Sequence, residues 1–259
     1  MPVSGPGFRR YGGATTCYEV AVDERHRLLI DAGTGILSLG MELPTFDDLE
    51  FTVLITHLHW DHTLGLPFFE PLYRPTNRFT FYGHPTMGMT IEQAIDAVMR
   101  PPWFPVAFTS TPSRKSFVHL DEASFKVADI AVRPVRLNHP QGVTAYRLER
   151  DGKVVVMATD VEHGEPESDE ALTALARGAD LLIYDAQYRP DEYEEHHIGW
   201  GHSTWREAVD LASRAGVGRL VLTSHDPFRT DDEVDEILAE ARMQFPATDS
   251  AYEGMVLEV

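Results

Sequence analysis

Phe51-Thr52-Val53-Leu54-Ile55-Thr56 runs straight into His57-Leu58-His59-Trp60-Asp61-His62. The first six residues are apolar or β-branched throughout, the pattern of a strand buried on both faces. The next six hold three histidines and one aspartate, too many ionisable groups for a polar loop carrying incidental histidines. In an extended segment, residues i and i+2 point the same way. His57 and His59 can therefore share one metal, while Asp61 and His62 point away from that pair and can reach a second. Imidazole and carboxylate suit zinc, manganese or iron.

Six positions cannot close two metal sites, so further ligands must come from elsewhere. His139 follows the predicted strand Ala131–Leu137, Asp160 follows Val154–Ala158, and His225 follows Arg219–Thr223. Strand ends on one rim are where a sheet gathers residues distant in sequence. Each is a weak signal alone; together they complete two ligand sets.

Further strands are predicted at Tyr18–Val22, Leu28–Asp31, Arg78–Tyr82, Val143–Leu148, Leu181–Tyr184 and Gly254–Val259. Helical periodicity marks Ile91–Met99, Ala171–Ala176, Trp205–Ala215 and Asp231–Met243. Thr204-x-x-Glu207 opens the third of these and Gly216 stops it. Strands come first, in hairpin-like succession, and helices are interleaved later. That order predicts sheets covered by helices, not a pure parallel repeat. Arg100–Ser116 reads as an irregular loop, either a lid or a surface excursion.

The chain has 259 residues, with 22 Lys+Arg against 41 Asp+Glu and a net charge of −19. Such a surface repels a polyphosphate backbone and argues against broad nucleic-acid binding. A small anion stays bindable, because bound divalent cations reverse the local field. The single cysteine, Cys17, excludes an internal disulfide and is expected as a buried strand residue. Met1–Arg10 lacks the apolar core of a signal peptide, and no stretch is long enough to span a bilayer. A cytoplasmic protein is expected.

The ordered set His57, His59, Asp61, His62, His139, Asp160, His225 resembles that of the metallo-β-lactamase superfamily. Within it the chain looks most like the phosphodiesterase branch. That branch includes cyclic-phosphate phosphodiesterases of phosphonate metabolism and the transfer-RNA 3′-processing endonucleases. The likeness runs from about Gly12 to His225. It implies an α/β fold, a four-layer αββα sandwich, as one hydrolase domain over residues 1–259. It implies two divalent metal ions, zinc first, with manganese and iron also suited. His57, His59 and His139 would hold one ion, and Asp61, His62 and His225 the other. Asp160 would bridge them, Asp61 also counting among the catalytic residues. Asp31, in Asp31-Ala32-Gly33-Thr34-Gly35, matches the superfamily's first motif and would support the metal loop from behind; the alternative is a plain turn aspartate.

Departures from the pattern sort the branches. Asp160 stands where classical zinc β-lactamases carry Cys, and His59 stands where flavodiiron oxidoreductases carry Glu. The endonucleases insert a long substrate-gripping arm between the third His and the bridging Asp; here His139 and Asp160 leave room for a strand pair only. His202, in Gly201-His202-Ser203-Thr204, matches the branch's catalytic histidine, against the alternative of a helix-entry residue. The resemblance thus implies a hydrolase of a small, even cyclic, phosphodiester, using metal-activated water with His202 as general acid. The alternatives are a thioester or lactone hydrolase on the same centre, and a non-catalytic ligand sensor or accessory protein. No membrane contact is expected, and a homodimer is the common case for such proteins.

His163, His196 and His197 are expected at the surface or behind the ligands, and His26, His84 and His119 have no motif around them. Trp60, Trp103, Phe104 and Phe108 read either as ring-stacking residues or as packing. Arg74 and Arg78 read either as phosphate contacts or as surface ion pairs.

Overall fold

A computed structural model describes residues 1–121 and 123–259, in two compact units. Unit 1 comprises Met1–Pro2 and Ala14–Asp121, and unit 2 comprises Val3–Gly13 and Glu122–Val259. No helix among the described residues is long and apolar enough to cross a membrane.

Unit 1 is a five-stranded sheet in the order β1 (Tyr18–Ala21), β2 (His26–Ile30), β3 (Glu50–Leu54), β4 (Arg78–Gly83), β5 (Arg114–His119). β1 and β2 pair antiparallel, but β2 to β5 pair parallel. This corrects the hairpin-like succession read from the sequence. The connections at 31–49, 55–77 and 84–113 are long, and they hold α1 (Ile36–Glu42), short 3-10 turns and α2 (Ile91–Val98). Connections of that length cross over, and a crossover returns the chain parallel. α2 begins at a capping box between Thr90 and Gln93.

Five phenylalanines, Phe51, Phe69, Phe79, Phe81 and Phe108, stand within the largely aliphatic core of unit 1. Phe51 and Phe79 are register partners on β3 and β4, stacked 4.6 Å apart, and Phe81 and Phe117 stack at 5.6 Å on β4 and β5. Each fully buried Phe contributes about 1.5–3 kcal/mol. Phe108 belongs here too, fully buried and 5.5 Å from Phe81. It is packing, not a ring-stacking residue. Phe104 stands edge-on to Phe68, while Trp60 and Trp103 are exposed. Arg74 pairs with Glu70 and Arg78 with Glu50, the surface ion pairs of the two readings. Cys17 lies one residue before β1, in no regular element, and is half-buried against this core, which corrects its assignment to a buried strand position.

Unit 2 is a seven-stranded sheet. Its strands are β6 (Phe125–Val127), β7 (Ile130–Leu137), β8 (Val143–Arg150), β9 (Lys153–Ala158), β10 (Leu181–Asp185), β11 (Arg219–Thr223) and β12 (Thr248–Ser250), in the spatial order 12-11-10-9-8-7-6. β6 to β9 are antiparallel and β9 to β12 parallel. α3 (Pro166–Ala176), α4 (Trp205–Ala215) and α5 (Asp231–Gln244) pack on it. One face of α4, with Trp205, Ala208, Val209 and Ala212, is buried, as the helical periodicity read over Trp205–Ala215 requires. Thr204 caps the helix by accepting from the Glu207 N–H, and Gly216 ends it at φ 66°.

The expected last strand, Gly254–Val259, does not form. β12 occupies the place beside β11, after which the chain turns, with the Met255 N–H donating to the Tyr252 carbonyl and Gly254 at φ 75°. The strands β5 and β6 escape sequence reading. Both lie at sheet edges, and β5 is exposed or half-buried along its whole length, so no apolar run marks it.

Candidate metal centre

In each unit the parallel strands deliver their C-terminal ends to one edge of the sheet, where ligands collect in such folds. In unit 1 that edge carries Asp31 after β2 and His57 to His62 after β3. In unit 2, β7, β9, β10 and β11 run in one direction; Asp185 ends β10 at that edge, and His139, Asp160 and His225 stand just beyond β7, β9 and β11. Asp31, Asp160 and Ser224, the residue before His225, adopt left-handed backbone at φ 61°, 53° and 54°. Each costs a non-glycine residue of the order of 1–2 kcal/mol, a strain typical of functional turns.

Asp31 is fully buried and organises the unit 1 cluster. Its Oδ1 accepts from the Thr56 N–H at 2.8 Å, and its Oδ2 from the Thr56 hydroxyl at 2.7 Å. His62 Nδ1 lies 2.7 Å from Oδ2. Burial pushes the Asp31 carboxyl up, opposed by His62 and the Thr56 hydrogen bonds. The His57 ring lies 4.4 Å from His59 and 4.2 Å from His62. The sequence sets His62 apart from His57. The 3-10 turn Trp60–His62 instead folds the run back and brings the rings together. Asp61 is more open, with 38% of its side chain exposed and Oδ2 3.8 Å from His62 Nε2.

In unit 2, His139 Nδ1 donates to the Gly201 carbonyl at 2.7 Å. Asp160, Asp185 and His202 each offer an oxygen or nitrogen within 4.8 Å of the others. Asp160 accepts from the Ser224 hydroxyl, and its N–H donates to Asp185 Oδ2 at 2.9 Å. His202 Nδ1 lies 2.8 Å from the same Oδ2, and the Ser203 N–H donates to Oδ1. Asp185 is fully buried, which pushes its carboxyl up, against the opposing pull of His202. His225 Nε2 lies 2.6 Å from the Ser250 hydroxyl, while its buried Nδ1 closes no well-formed hydrogen bond. Burial first, then Arg229, pushes this imidazole down to about 4, against the Ala186 backbone, so it is neutral at pH 7.

These donors fit divalent ions. His62 and His139 each give Nδ1–H to an oxygen acceptor, which leaves the lone pair of Nε2 for a metal, the usual arrangement behind histidine ligands. The neutral His225 needs no proton displaced. Among the other histidines, His163 contacts Ser203 at 3.2 Å and the Tyr193 ring, and His197 stacks on Tyr188. His196 is largely exposed.

Asp185 and Glu162 are absent from the residues singled out by sequence. Asp185 carried a usable signal, since it ends its strand as His139 and Asp160 follow theirs. Glu162 carried none; its partners Tyr193, Gly199 and Gly201 come from 31 to 39 residues away.

A family model described as "Beta-lactamase superfamily domain" matches residues 26–225. Ribonuclease Z of Bradyrhizobium sp. is 30% identical over 269 residues, covering 86% of each chain. The metallo-β-lactamase fold protein YhfI from Bacillus subtilis superposes with a TM-score of 0.73 at 23% identity, covering 98% of this chain and 95% of that one. A diphosphatase of the PhnP family superposes at 0.66 with 21% identity, covering 93% and 83%. The fold is the metallo-β-lactamase fold.

Proposed function

The chain belongs to the β-lactamase superfamily as a metal-dependent hydrolase, and on that footing we propose that it cleaves small phosphodiesters, cyclic ones included, as a single hydrolase domain. The observation that carries this reading is the pairing of His202 with the buried carboxylate of Asp185, beside Asp160. It supplies a proton donor next to a ligand, which cleavage of an unactivated diester requires.

In this proposal His57, His59 and His139 would hold one ion, Asp61, His62 and His225 the second, and Asp160 would be shared by both. When bound, two divalent ions, zinc first, supply an activated water and neutralise the phosphate charge. Asp31 holds His62 by Nδ1, and the Gly201 carbonyl holds His139 in the same way, so that both present Nε2. Asp185 keeps the proton on His202 Nδ1, and Nε2–H passes a proton to the leaving oxygen. Asp61, partly open to solvent, would orient an attacking water as well as ligate.

A second reading, RNA cleavage, is favoured by the ribonuclease Z name of the relative. Against it stand the net charge of −19 and the plain β8–β9 hairpin that fills the stretch between His139 and Asp160.

Elemental analysis of the purified protein, followed by a panel of cyclic diesters, linear diesters, a transfer-RNA precursor, thioesters and lactones, tests the proposal. Two metals per chain and turnover of small diesters support it. Turnover of the precursor alone, or of thioesters alone, would replace it. His202→Ala should keep its metal and slow diesters with poor leaving groups most, whereas Asp160→Ala should lose metal.

A further inference from the structure

Glu162 lies two residues beyond Asp160, and only 6% of it is exposed. Three donors converge on its carboxylate. The Gly199 N–H reaches Oε1 at 2.5 Å, the Tyr193 hydroxyl reaches Oε1 at 2.9 Å, and the Gly201 N–H reaches Oε2 at 2.8 Å. The backbone of Glu162 is pinned as well. Its N–H donates to the Asn138 carbonyl at 3.0 Å, and Asn138 Nδ2 donates back to its carbonyl at 3.2 Å. Gly201, held by one oxygen of Glu162, accepts from His139 Nδ1 through its own carbonyl.

These contacts form a closed circuit. Asn138 leads into His139, Glu162 binds Asn138, Glu162 binds Gly201, and Gly201 binds His139. Gly201 also leads directly into His202. The loop Gly199–Gly201 has two glycines at φ 87° and 89°, and Trp200 between them is largely exposed. Glycine backbone is conformationally permissive, so the fixing of this segment falls to the contacts it makes. Two backbone N–H groups spaced two residues apart need two acceptors at one place, and a carboxylate supplies both. A glutamine would turn one acceptor into a donor facing a donor.

We infer that Glu162 is a positioning residue that sets the metal-facing His139 and the proton-donating His202 relative to each other. The inference rests on the proposed function in taking His139 as a ligand and His202 as an acid. It adds that one buried carboxylate, outside the ligand set, keeps metal binding and proton transfer in register.

The test uses the full chain with Glu162→Ala, Glu162→Gln and Tyr193→Phe. Zinc affinity is read by competition with a chromogenic chelator, and folding by thermal melting. Turnover is compared on an aryl diester with a good leaving group and an alkyl diester with a poor one. Removing a partner that orients a ligand costs about 10–100-fold in metal affinity, the loss expected for Glu162→Ala. Glu162→Gln should lose less, and in both variants the alkyl diester should slow more than the aryl one. Tyr193→Phe removes a donor that is not part of the glycine loop and should keep zinc affinity within about twofold of the parent, well short of that range.

Unchanged zinc affinity together with an unchanged ratio of the two rates in Glu162→Ala overturns the inference. So does a Tyr193→Phe loss equal to that of Glu162→Ala, which would indicate general packing. If the alanine variant does not fold, the glutamine variant decides by the same two readings. If the parent cleaves no diester at all, the proposed function fails, and zinc competition alone decides the role of Glu162.

Discussion

Nδ1 of His202 lies 2.8 Å from Oδ2 of Asp185, and that oxygen also accepts the backbone N–H of Asp160. One buried carboxylate therefore orients an imidazole on α4's entry loop and the strand-end turn that presents Asp160. A carboxylate accepting Nδ1–H fixes the tautomer and favours the protonated ring as it gives up its other proton. Asp185→Asn keeps the shape but removes the charge. We expect kcat for an alkyl diester to fall by about 10²-fold or more, within the range for lost general-acid catalysis. The fall for an activated aryl diester should be much smaller. Steady-state rates on both substrates check this, and equal losses would remove the acid role from the pair.

The strained turns at Asp31, Asp160 and Ser224 should be steadier with metal bound. A ligand present at about 1,000 times its Kd stabilises the folded state by about 4 kcal/mol. Dialysis against a strong chelator should thus lower Tm by several degrees and abolish hydrolysis. Returning zinc, manganese or iron singly should restore both, and the ion that restores most at lowest concentration identifies the native one. A melting curve indifferent to the chelator, with no metal by elemental analysis, would remove the two-ion centre.

Much of this site is legible in sequence because strand ends are legible. A buried-type strand followed by His57-x-His59-x-Asp61-His62 marks candidate ligands, and His139, Asp160 and His225 each follow a recognisable apolar run. What the sequence hides is pairing at long range. Asp185 and His202 are 17 residues apart, and Glu162 reaches 39 residues to Gly201. In a chain with 41 acidic residues, no local feature separates Glu162 from solvated carboxylates, and only its strand end marks Asp185. The parallel pairing of β2 to β5 is hidden for a related reason. Strand direction is decided by crossovers, and of the helical turns they hold only α2 carries a readable periodicity.

Asp231 gives a pH dependence of stability. Burial alone raises its carboxyl, but the N–H groups of Arg10, Tyr11 and Arg9 donate to it and lower it overall. The longest of the three contacts is 3.3 Å. Its folded value therefore lies below the unfolded value of about 3.9. A depressed carboxyl contributes stability that is complete above the unfolded value and lost as pH falls through the folded one. Urea midpoints of the parent and Asp231→Asn should differ by a constant amount from pH 7 to about 5 and converge below about pH 4, around that unfolded value. A gap that stays constant or widens as pH falls from 5 to 3 would contradict the assignment.

Two glycines of one loop separate backbone strain from site damage. Gly199 and Gly201 have nearly equal φ, 87° and 89°. A Cβ on Gly199 meets nothing within 4 Å, whereas a Cβ on Gly201 would collide with Nδ1 of His139 and Cδ of Pro140. Alanine at either position pays about 1–2 kcal/mol for left-handed backbone. Only Gly201→Ala must also push the His139 ring aside, breaking the hydrogen bond that fixes its tautomer. Both variants should therefore lose similar stability from the backbone, but Gly201→Ala should lose about tenfold or more in zinc affinity, the cost of disturbing a ligand's orienting partner. Gly199→Ala should bind zinc nearly as the parent does. Chelator competition at matched fractions folded measures the difference. Equal zinc affinities would mean that the Gly201 carbonyl does not govern His139, and the circuit through Glu162 would lose its last link.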